Sequence, residues 1–173
     1  SWNLMRHYVS DVADDIDDEL RHLDDLGVFR SSGHYRWGWA LAGITPFRRW
    51  KRYTLEGGVR DPLIISWPER LSSPGSIRHQ YSHAVDLPET LLDLAGIDIP
   101  GTVDGISMVG DAKRKSLYGE VGEDHSATRM MHDGRFKLIY YPVGNCVQLF
   151  DLAEDPTELH DLSGSVDHAE IRH

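Results

Sequence analysis

The sequence predicts an α/β portion over residues 1–110 and a small antiparallel β subdomain with a polar tail over residues 111–173. Two observations lead to this fold class. A short apolar run bracketed by prolines is followed by an amphipathic helix pattern, which is typical of a strand and helix in a parallel sheet. Beyond residue 115, four strand-like stretches are separated by short turn signals, which is typical of antiparallel hairpins.

The first predicted element is an acidic amphipathic helix. Apolar Val12, Ile16, Leu20 and Leu23 recur at steps of four, four and three, and Gly27 ends the pattern. Acidic residues fill the positions between them, and adjacent helical carboxylates point in different directions. We therefore interpret the acids as a solvated face rather than a metal site.

The stretch from Phe29 to Arg60 is rich in Gly, Trp and Arg and keeps no sustained period of 2 or 3.6. We interpret it as a long ordered loop, a class of segment that often carries function. It holds seven basic residues against one acid, whereas residues 1–28 hold eight acids and two arginines. An anionic ligand would favour the basic 29–60 segment.

The run from Pro62 to Pro68 is short and rich in β-branched residues, which predicts a strand over Leu63–Trp67 that is buried on both faces. A helix is predicted after it. Asp86 and Glu89 have the spacing of a capping box at its start, and Gly96 ends its apolar face.

Four strands are predicted in the C-terminal part, over Ser116–Val121, Thr128–His132, Phe136–Tyr141 and Val147–Leu152. Asp133–Gly134 is a strong hairpin signal, and Pro142–Asn145 marks a second turn. A polar tail begins at Asp155–Pro156, and we expect weak order at its end.

Composition narrows the classes of function. The 173 residues carry a net charge of −10, which argues against a general affinity for nucleic acid. No apolar run approaches the roughly 20 residues of a membrane span, so we expect a soluble protein without membrane contact. One cysteine excludes an internal disulfide and a cysteine-based zinc cluster. No targeting signal is visible, so a cytoplasmic or periplasmic location stays open, and the missing initiator Met indicates a fragment.

Three stretches of sequence carry a resemblance to a known family. The first comprises Gly38–Ala40, Thr45–Arg52 and Glu56–Pro68, the second Asp86–Ile97 and Asp104–Ser107, and the third Asp133–Tyr140, Gln148–Leu152 and Asp155–Pro156. In this order and at this spacing they resemble the C-terminal half of the arylsulfatase family, across nearly the whole chain.

The resemblance implies the C-terminal part of an alkaline-phosphatase-like α/β/α sandwich with a small antiparallel β subdomain packed against it. It also implies a sulfuric-ester hydrolase that acts on a small-molecule sulfate ester. Members use a formylglycine made from the Cys or Ser of a Cys/Ser-x-Pro/Ala-x-Arg motif, beside a divalent cation that is usually Ca²⁺. The cation and basic groups would neutralise the sulfuryl oxygens while the hydrated aldehyde supplies the nucleophile.

We expect several parts of that machinery to be absent from this chain. Cys146 lies in Gly144–Leu149 with no Pro or Arg at the required offsets, so we interpret it as a packing residue and expect no formylglycine motif and no catalytic residue. Neither Asn3 nor Asn145 follows an aspartate, so the family's Asp-Asn-Gly metal motif is missing. Its other metal ligands would lie upstream of Ser1, and no metal ligand is expected in the chain.

One active-site residue carries over from the resemblance. Members place a lysine that contacts the sulfate group shortly before a Glu/His-x-Gly-Gly turn, and Lys51 holds that position. The alternative is a solvated surface lysine. His34, Tyr35, Trp37 and Trp39 fall where the family lines the substrate entrance, although aromatic residues more often pack than bind.

The residues after Lys51 have structural interpretations. Gly57 and Gly58 are expected to serve a tight turn. Arg60 and Asp61 are expected to form a local ion pair.

Three hypotheses of function follow. The chain is the C-terminal fragment of a sulfuric-ester hydrolase, whose remaining part carries the nucleophile and the metal. Alternatively, it is a non-catalytic truncated module that binds an anion or a partner through its basic 29–60 segment. A third hypothesis is an unstable product without function. The sequence does not indicate which sulfate ester is cleaved or the oligomeric state.

Overall fold

The computed structural model describes residues 3, 13, 15–33, 35–70, 75–110 and 113–167. The chain divides into two compact units, residues 1–45 and residues 46–173. The boundary predicted near residue 110 from the sequence pattern stays a prediction.

Among the residues of the first unit that the structure describes, two helices form, α1 (Ile16–Arg21) and α2 (Trp37–Ile44). Asp15 caps α1, since its Oδ1 accepts the backbone N–H of Asp17 at 3.0 Å. A helix was predicted here and is confirmed, but it is shorter than the sequence pattern, and a 3₁₀ turn over Leu23–Asp25 follows it. The described residues of the predicted apolar face, Ile16, Leu20 and Leu23, are all exposed. The apolar pattern therefore predicts the helix correctly but not the burial of that face.

Two helices interrupt the segment that the sequence analysis interpreted as a loop. They are α2 and α3 (Glu56–Val59). Gly38 and Gly43 lower the helix propensity of α2 and obscure its period, which is why the pattern was missed. The interpretation of residues 29–60 as irregular throughout is therefore wrong.

The second unit contains a four-stranded antiparallel sheet in the order β1-β2-β3-β4. Its strands are β1 (Leu117–Val121), β2 (Thr128–His132), β3 (Phe136–Tyr141) and β4 (Cys146–Asp151). The register pairs Met130 with Ile139, and Lys137 with Phe150. All four predicted strands are confirmed to within one residue at their ends.

Local turn chemistry sets this register. The Asp133 carboxylate accepts the backbone N–H groups of Arg135 at 2.9 Å and Phe136 at 2.7 Å, and Gly134 adopts a φ of 106°. Asn145 takes a φ of 45° in the second turn. Both predicted turns are confirmed, and each uses residues that tolerate a left-handed backbone.

One face of the sheet carries the core of the second unit. Leu55 packs there with Met130, Ile139 and Phe150. The start of the polar tail is ordered against the edge of β4, where the Leu162 N–H donates to the Leu149 carbonyl at 2.8 Å. The end of the tail lies outside the described residues.

The helix α4 (Asp86–Ala95) is confirmed, and Gly96 ends it in a left-handed conformation with φ 65°. The predicted capping box at its start is wrong. The buried Asp86 carboxylate instead accepts the backbone N–H groups of His83 at 2.7 Å and Ile106 at 2.8 Å. The N-cap is Val85 and Asp86 is the first helical residue, so the Asp86 side chain secures two neighbouring loops instead of capping the helix.

The strand predicted over Leu63–Trp67 is absent. The residues have no regular secondary structure and pair with no strand among the described parts of the chain. Ile64 is 88% exposed, and its neighbours Leu63 and Ile65 are half exposed. A strand buried on both faces needs a neighbouring strand on each side, and the described residues supply none. The apolar side chains of this run therefore stay exposed.

Candidate functional site

Lys51 lies on a tight turn of the second unit with its side chain exposed to solvent. Arg49 and Arg52 flank it with φ angles of 66° and 77°, in the left-handed region that few non-glycine residues adopt. Such a backbone costs about 1–3 kcal/mol per residue and persists only where the surrounding contacts hold it.

Gly57 and Gly58 lie directly against this turn at the start of α3. The Gly57 N–H donates to the Arg48 carbonyl at 3.2 Å. A Cβ on Gly57 would lie 2.4 Å from the Arg48 carbonyl oxygen, and one on Gly58 would lie 2.1 Å from the Tyr53 carbonyl oxygen. A side chain at either position would therefore displace the Lys51 turn. The two glycines were predicted to serve a tight turn, but they lie in the short helix α3 and neither has a positive φ, so what they allow is the close approach of the turn backbone.

A buried group of charged side chains underlies the same turn. The Lys137 ammonium, fully buried in β3, lies 3.0 Å from Glu56 Oε1 and 2.8 Å from Glu158 Oε1. Glu158 is also fully buried, and its other oxygen accepts the Glu56 backbone N–H at 2.7 Å. Arg48 donates a hydrogen bond to the Glu158 carbonyl. We call Glu56, Lys137 and Glu158 the buried triad.

Arg60 does not form the ion pair that was predicted with its neighbour Asp61. Its guanidinium lies 3.6 Å from Glu56 Oε2 and stacks over the Phe47 ring at 5.0 Å. Arg60 therefore adds a second cation beside the Glu56 carboxylate instead of forming a local surface pair.

Burial dominates the electrostatics of this region. It raises the pKa of Glu158, although the Lys137 ammonium opposes the rise. Burial also lowers the pKa of the His132 imidazole, and Lys137 lowers it further against the opposing carboxylate of Glu56. The neutral form of His132 is therefore favoured, and its Nδ1 accepts the Gly134 N–H at 2.9 Å.

The aromatic residues proposed for the substrate entrance belong to the first unit. Tyr35, Trp37 and Trp39 are each about two-thirds exposed, so they do not form a packed core there. His34 lies outside the described residues. Their assignment to a substrate entrance stays a prediction.

The expectation that the chain lacks the formylglycine motif is wrong for its serine form. Ser66-Trp67-Pro68-Glu69-Arg70 has the Ser-x-Pro-x-Arg spacing. Ser66 is exposed, and the Arg70 guanidinium lies over the Trp67 ring at 5.4 Å. Cys146 is exposed as well, so it is not the packing residue that was predicted.

The described residues do not fit a bound calcium ion. Among them, no three or more His, Cys, Asp or Glu side chains converge in a way that could hold a metal. The same part of the chain has no helix that is both long and apolar enough to cross a membrane.

Sequence inspection missed the buried triad. Lys137 alternates with Ile139 and Tyr141 along β3, so a period-2 reading would have placed a charge on the inner face of the sheet. Glu158 gave no comparable signal, because it lies in a polar tail and meets Glu56 across 102 residues of sequence.

Comparison with known proteins gives a consistent result. Residues 48–173 match the family model described as "N-sulphoglucosamine sulphohydrolase, C-terminal". Bovine arylsulfatase A is 29% identical over 147 residues, which cover 68% of this chain and 29% of that protein. Arylsulfatase K of Xenopus laevis is 32% identical, covering 68% of this chain and 25% of its own length.

A bacterial relative extends the comparison. The N-acetylglucosamine-6-O-sulfatase of Bacteroides thetaiotaomicron is 30% identical over 136 residues, which cover 69% of this chain and 24% of that enzyme. The chain thus spans less than a third of the length of each of these relatives.

Proposed function

The chain belongs to the sulfatase family, and from that premise we propose that it is the C-terminal part of a sulfuric-ester hydrolase in which Lys51 contacts the sulfate group of a small-molecule sulfate ester. The observation that carries the proposal is the Lys51 turn. An exposed ammonium stands on a backbone fixed by two left-handed residues and by the glycine pair, within the part of the chain that matches the family model.

A fixed ammonium suits this reaction. A sulfate ester carries one negative charge, and further charge develops on the leaving oxygen as the S–O bond breaks. A cation held in position stabilises that charge in the transition state without having to reorganise. Lys51 would orient the sulfuryl group and offset its charge.

Members of the family generally use formylglycine and a metal, but the described residues do not supply the metal ligands. We therefore assign no step of the reaction to a metal on this chain. Ca²⁺ and formylglycine would act through the rest of a complete enzyme, where they would supply Lewis-acid and nucleophilic chemistry.

The alternative of an anion-binding module through the basic 29–60 segment has less support. Arg48 donates to the Glu158 carbonyl, and Arg60 lies against Glu56 and Phe47. These two arginines are committed to contacts within the unit, so they do not extend a cationic surface around Lys51.

The test uses this chain fused behind the matching N-terminal portion of an active sulfatase, which we call the joined enzyme. Lys51→Ala should lower kcat/KM for an aryl sulfate by about 10²-fold, as expected for the loss of one preorganised electrostatic contact. Arg52→Ala is the control, because Arg52 is an exposed cation next to Lys51 on the same turn. Equal effects of the two changes would make Lys51 an ordinary surface lysine.

A further inference from the structure

We propose that Glu158 and Lys137 are positioning residues for Lys51, acting through Glu56 and the glycine pair from the far end of the chain. The proposal rests on the proposed function, because it concerns how the same sulfate contact is held in place. Neither residue reaches solvent, so neither can touch substrate itself.

The first step of the connection runs from Glu158 to the two ends of the turn. One carboxylate oxygen accepts the Glu56 N–H at 2.7 Å, which fixes the start of α3. The backbone carbonyl of Glu158 accepts a hydrogen bond from Arg48, which fixes the residue where the turn begins. One residue of the tail thus contacts the segment on both sides of Lys51.

The second step runs through the glycines. The Gly57 N–H donates to the Arg48 carbonyl, and the space a Cβ on Gly58 would need is occupied by the carbonyl oxygens of Tyr53 and Trp50, at 2.1 Å and 2.7 Å. A shift of α3 by even a fraction of an ångström would therefore push the turn carbonyls. The position of Glu56 consequently sets the backbone around Lys51.

The third step is the buried charge. Lys137 is held between two carboxylates at 3.0 Å and 2.8 Å, and Arg60 balances the remaining charge from the rim at 3.6 Å. Removing one member of such a group leaves an unpaired charge without water, which is strongly unfavourable. Buried pairs contribute little net stability but can select one geometry, so the triad is suited to fixing the position of α3.

Catalytic rates are sensitive to this kind of positioning. A misplacement of about 1 Å in a contact group can cost on the order of 10²-fold in rate. A triad that loosens without unfolding should therefore lower kcat through Lys51, while contacts made elsewhere to the substrate keep KM near its original value.

The kinetic test is a double-mutant cycle in the joined enzyme. Glu158→Gln keeps the size of the side chain and an oxygen for the Glu56 N–H, and it should lower kcat about 10-fold. In a Lys51→Ala background the same change should lower kcat less than about 2-fold, because the residue that it positions is gone. The matched control is Glu120→Gln, which removes a carboxylate from the surface pair with Arg129.

A spectroscopic readout separates this proposal from the proposed function. Lysines of the joined enzyme are reductively methylated with ¹³C, and the Lys51 signal is identified by its loss in Lys51→Arg. Glu158→Gln should shift and broaden that signal, whereas Glu120→Gln should not. If Lys51→Ala leaves kcat/KM unchanged but the signal still moves, the sulfate contact is wrong and the positioning stands.

If Glu158→Gln fails to fold, the double variant Lys137→Met/Glu158→Gln tests the same proposal. This double change leaves the Glu56 carboxylate with Arg60 and no buried charge without a partner, so it should fold. We expect it to move the Lys51 signal and to be non-additive with Lys51→Ala. An unmoved Lys51 signal in a folded variant, or full additivity with Lys51→Ala, would overturn the positioning role.

Discussion

Arg114 hydrogen-bonds the carboxylate of Asp86 across 28 residues of sequence, with its Nε 3.3 Å from Asp86 Oδ2. The same carboxylate accepts two backbone N–H groups, from His83 and Ile106. Asp86 is 2% exposed, so these three partners replace the water that an ionised carboxylate would otherwise bind. One side chain thus connects the start of α4 with two loops and with the segment that leads into β1.

Asp86→Asn should destabilise the second unit by about 3 kcal/mol, because it leaves the Arg114 guanidinium without its charged partner in a buried site. Hydrogen exchange provides a local measurement, since the Ile106 amide should lose protection. Asp93→Asn is the control on the same helix: its carboxylate accepts an exposed hydrogen bond from Ser107, and its loss should cost less than about 1 kcal/mol. Equal exchange of Ile106 in both variants would contradict the role assigned to Asp86.

Gly58→Ala should destabilise the second unit and displace the Lys51 turn. Its Cβ would lie 2.1 Å from a backbone oxygen that cannot rotate away, so we expect a loss of about 3 kcal/mol or more. Gly43→Ala in α2 is a matched change at a site where no atom lies within 4 Å of the new Cβ. It should stabilise its helix by about 0.5–1 kcal/mol. Thermal unfolding midpoints of the two variants should therefore move in opposite directions.

The strands were predictable because their signals are local. β2 and β3 are neighbours along the chain, joined by the Asp133-Gly134 turn. Their alternating side chains and the turn residues therefore lie within one short stretch of sequence, where the pattern can be recognised. The strand over Leu63–Trp67 was not predictable in the same way. Its apolar run describes a buried environment, but burial depends on neighbouring strands that a local pattern cannot supply.

The candidate site was predictable in part. Family spacing identifies Lys51, and the glycine pair after it indicates a close backbone approach. The contacts beneath the turn join Arg48 and Glu56 to Lys137 and Glu158, which lie about 80 to 110 positions further along the chain. Such long-range pairing of charges has no periodic signature, so the fold had to be known before it could be found.

His132 should make the stability of the second unit fall on mild acidification. Burial lowers the pKa of His132 in the folded protein. Between that lowered pKa and about pH 6.5, the imidazole is therefore mostly protonated in the unfolded chain and mostly neutral in the folded one. Stability therefore rises with pH through this window and falls as pH drops below about 6.5. Neighbouring Glu56, Lys137 and Asp133 modulate the shift but do not reverse it.

His132→Asn is the variant that checks this, since an amide oxygen can accept the Gly134 N–H without titrating. Unfolding midpoints measured from pH 7.5 to pH 5.5 should decline less steeply than in the unaltered chain. His125→Asn, in an exposed 3₁₀ turn, should keep the original slope. An unchanged slope in His132→Asn would mean that other groups carry the acid sensitivity.

Ser66 should remain an unmodified serine despite its motif spacing. It lies in an exposed segment without regular secondary structure, and the Arg70 guanidinium stacks on Trp67. Conversion to formylglycine removes two hydrogen atoms, so peptide mass spectrometry of the chain produced with a formylglycine-generating enzyme gives a direct answer. Ser66→Ala and Cys146→Ser should both leave the kcat/KM of the joined enzyme unchanged. A modified Ser66 would instead supply this chain with the nucleophile that the sequence analysis considered missing.

The exposed apolar run over Leu63–Ile65 should make the isolated chain prone to aggregation. Three consecutive exposed apolar residues that pair with no strand, with Ile64 88% exposed, form a template to which another chain can add a strand. Ile64→Lys places a charge in the middle of the run and should raise the concentration at which light scattering begins. Ile77→Lys is the control, because Ile77 is 81% exposed but stands alone between polar residues. The sheet from β1 to β4 should keep its amide protection in both variants, since its pairing does not involve either residue. If both changes raised the threshold equally, net charge rather than the unpaired run would govern the association.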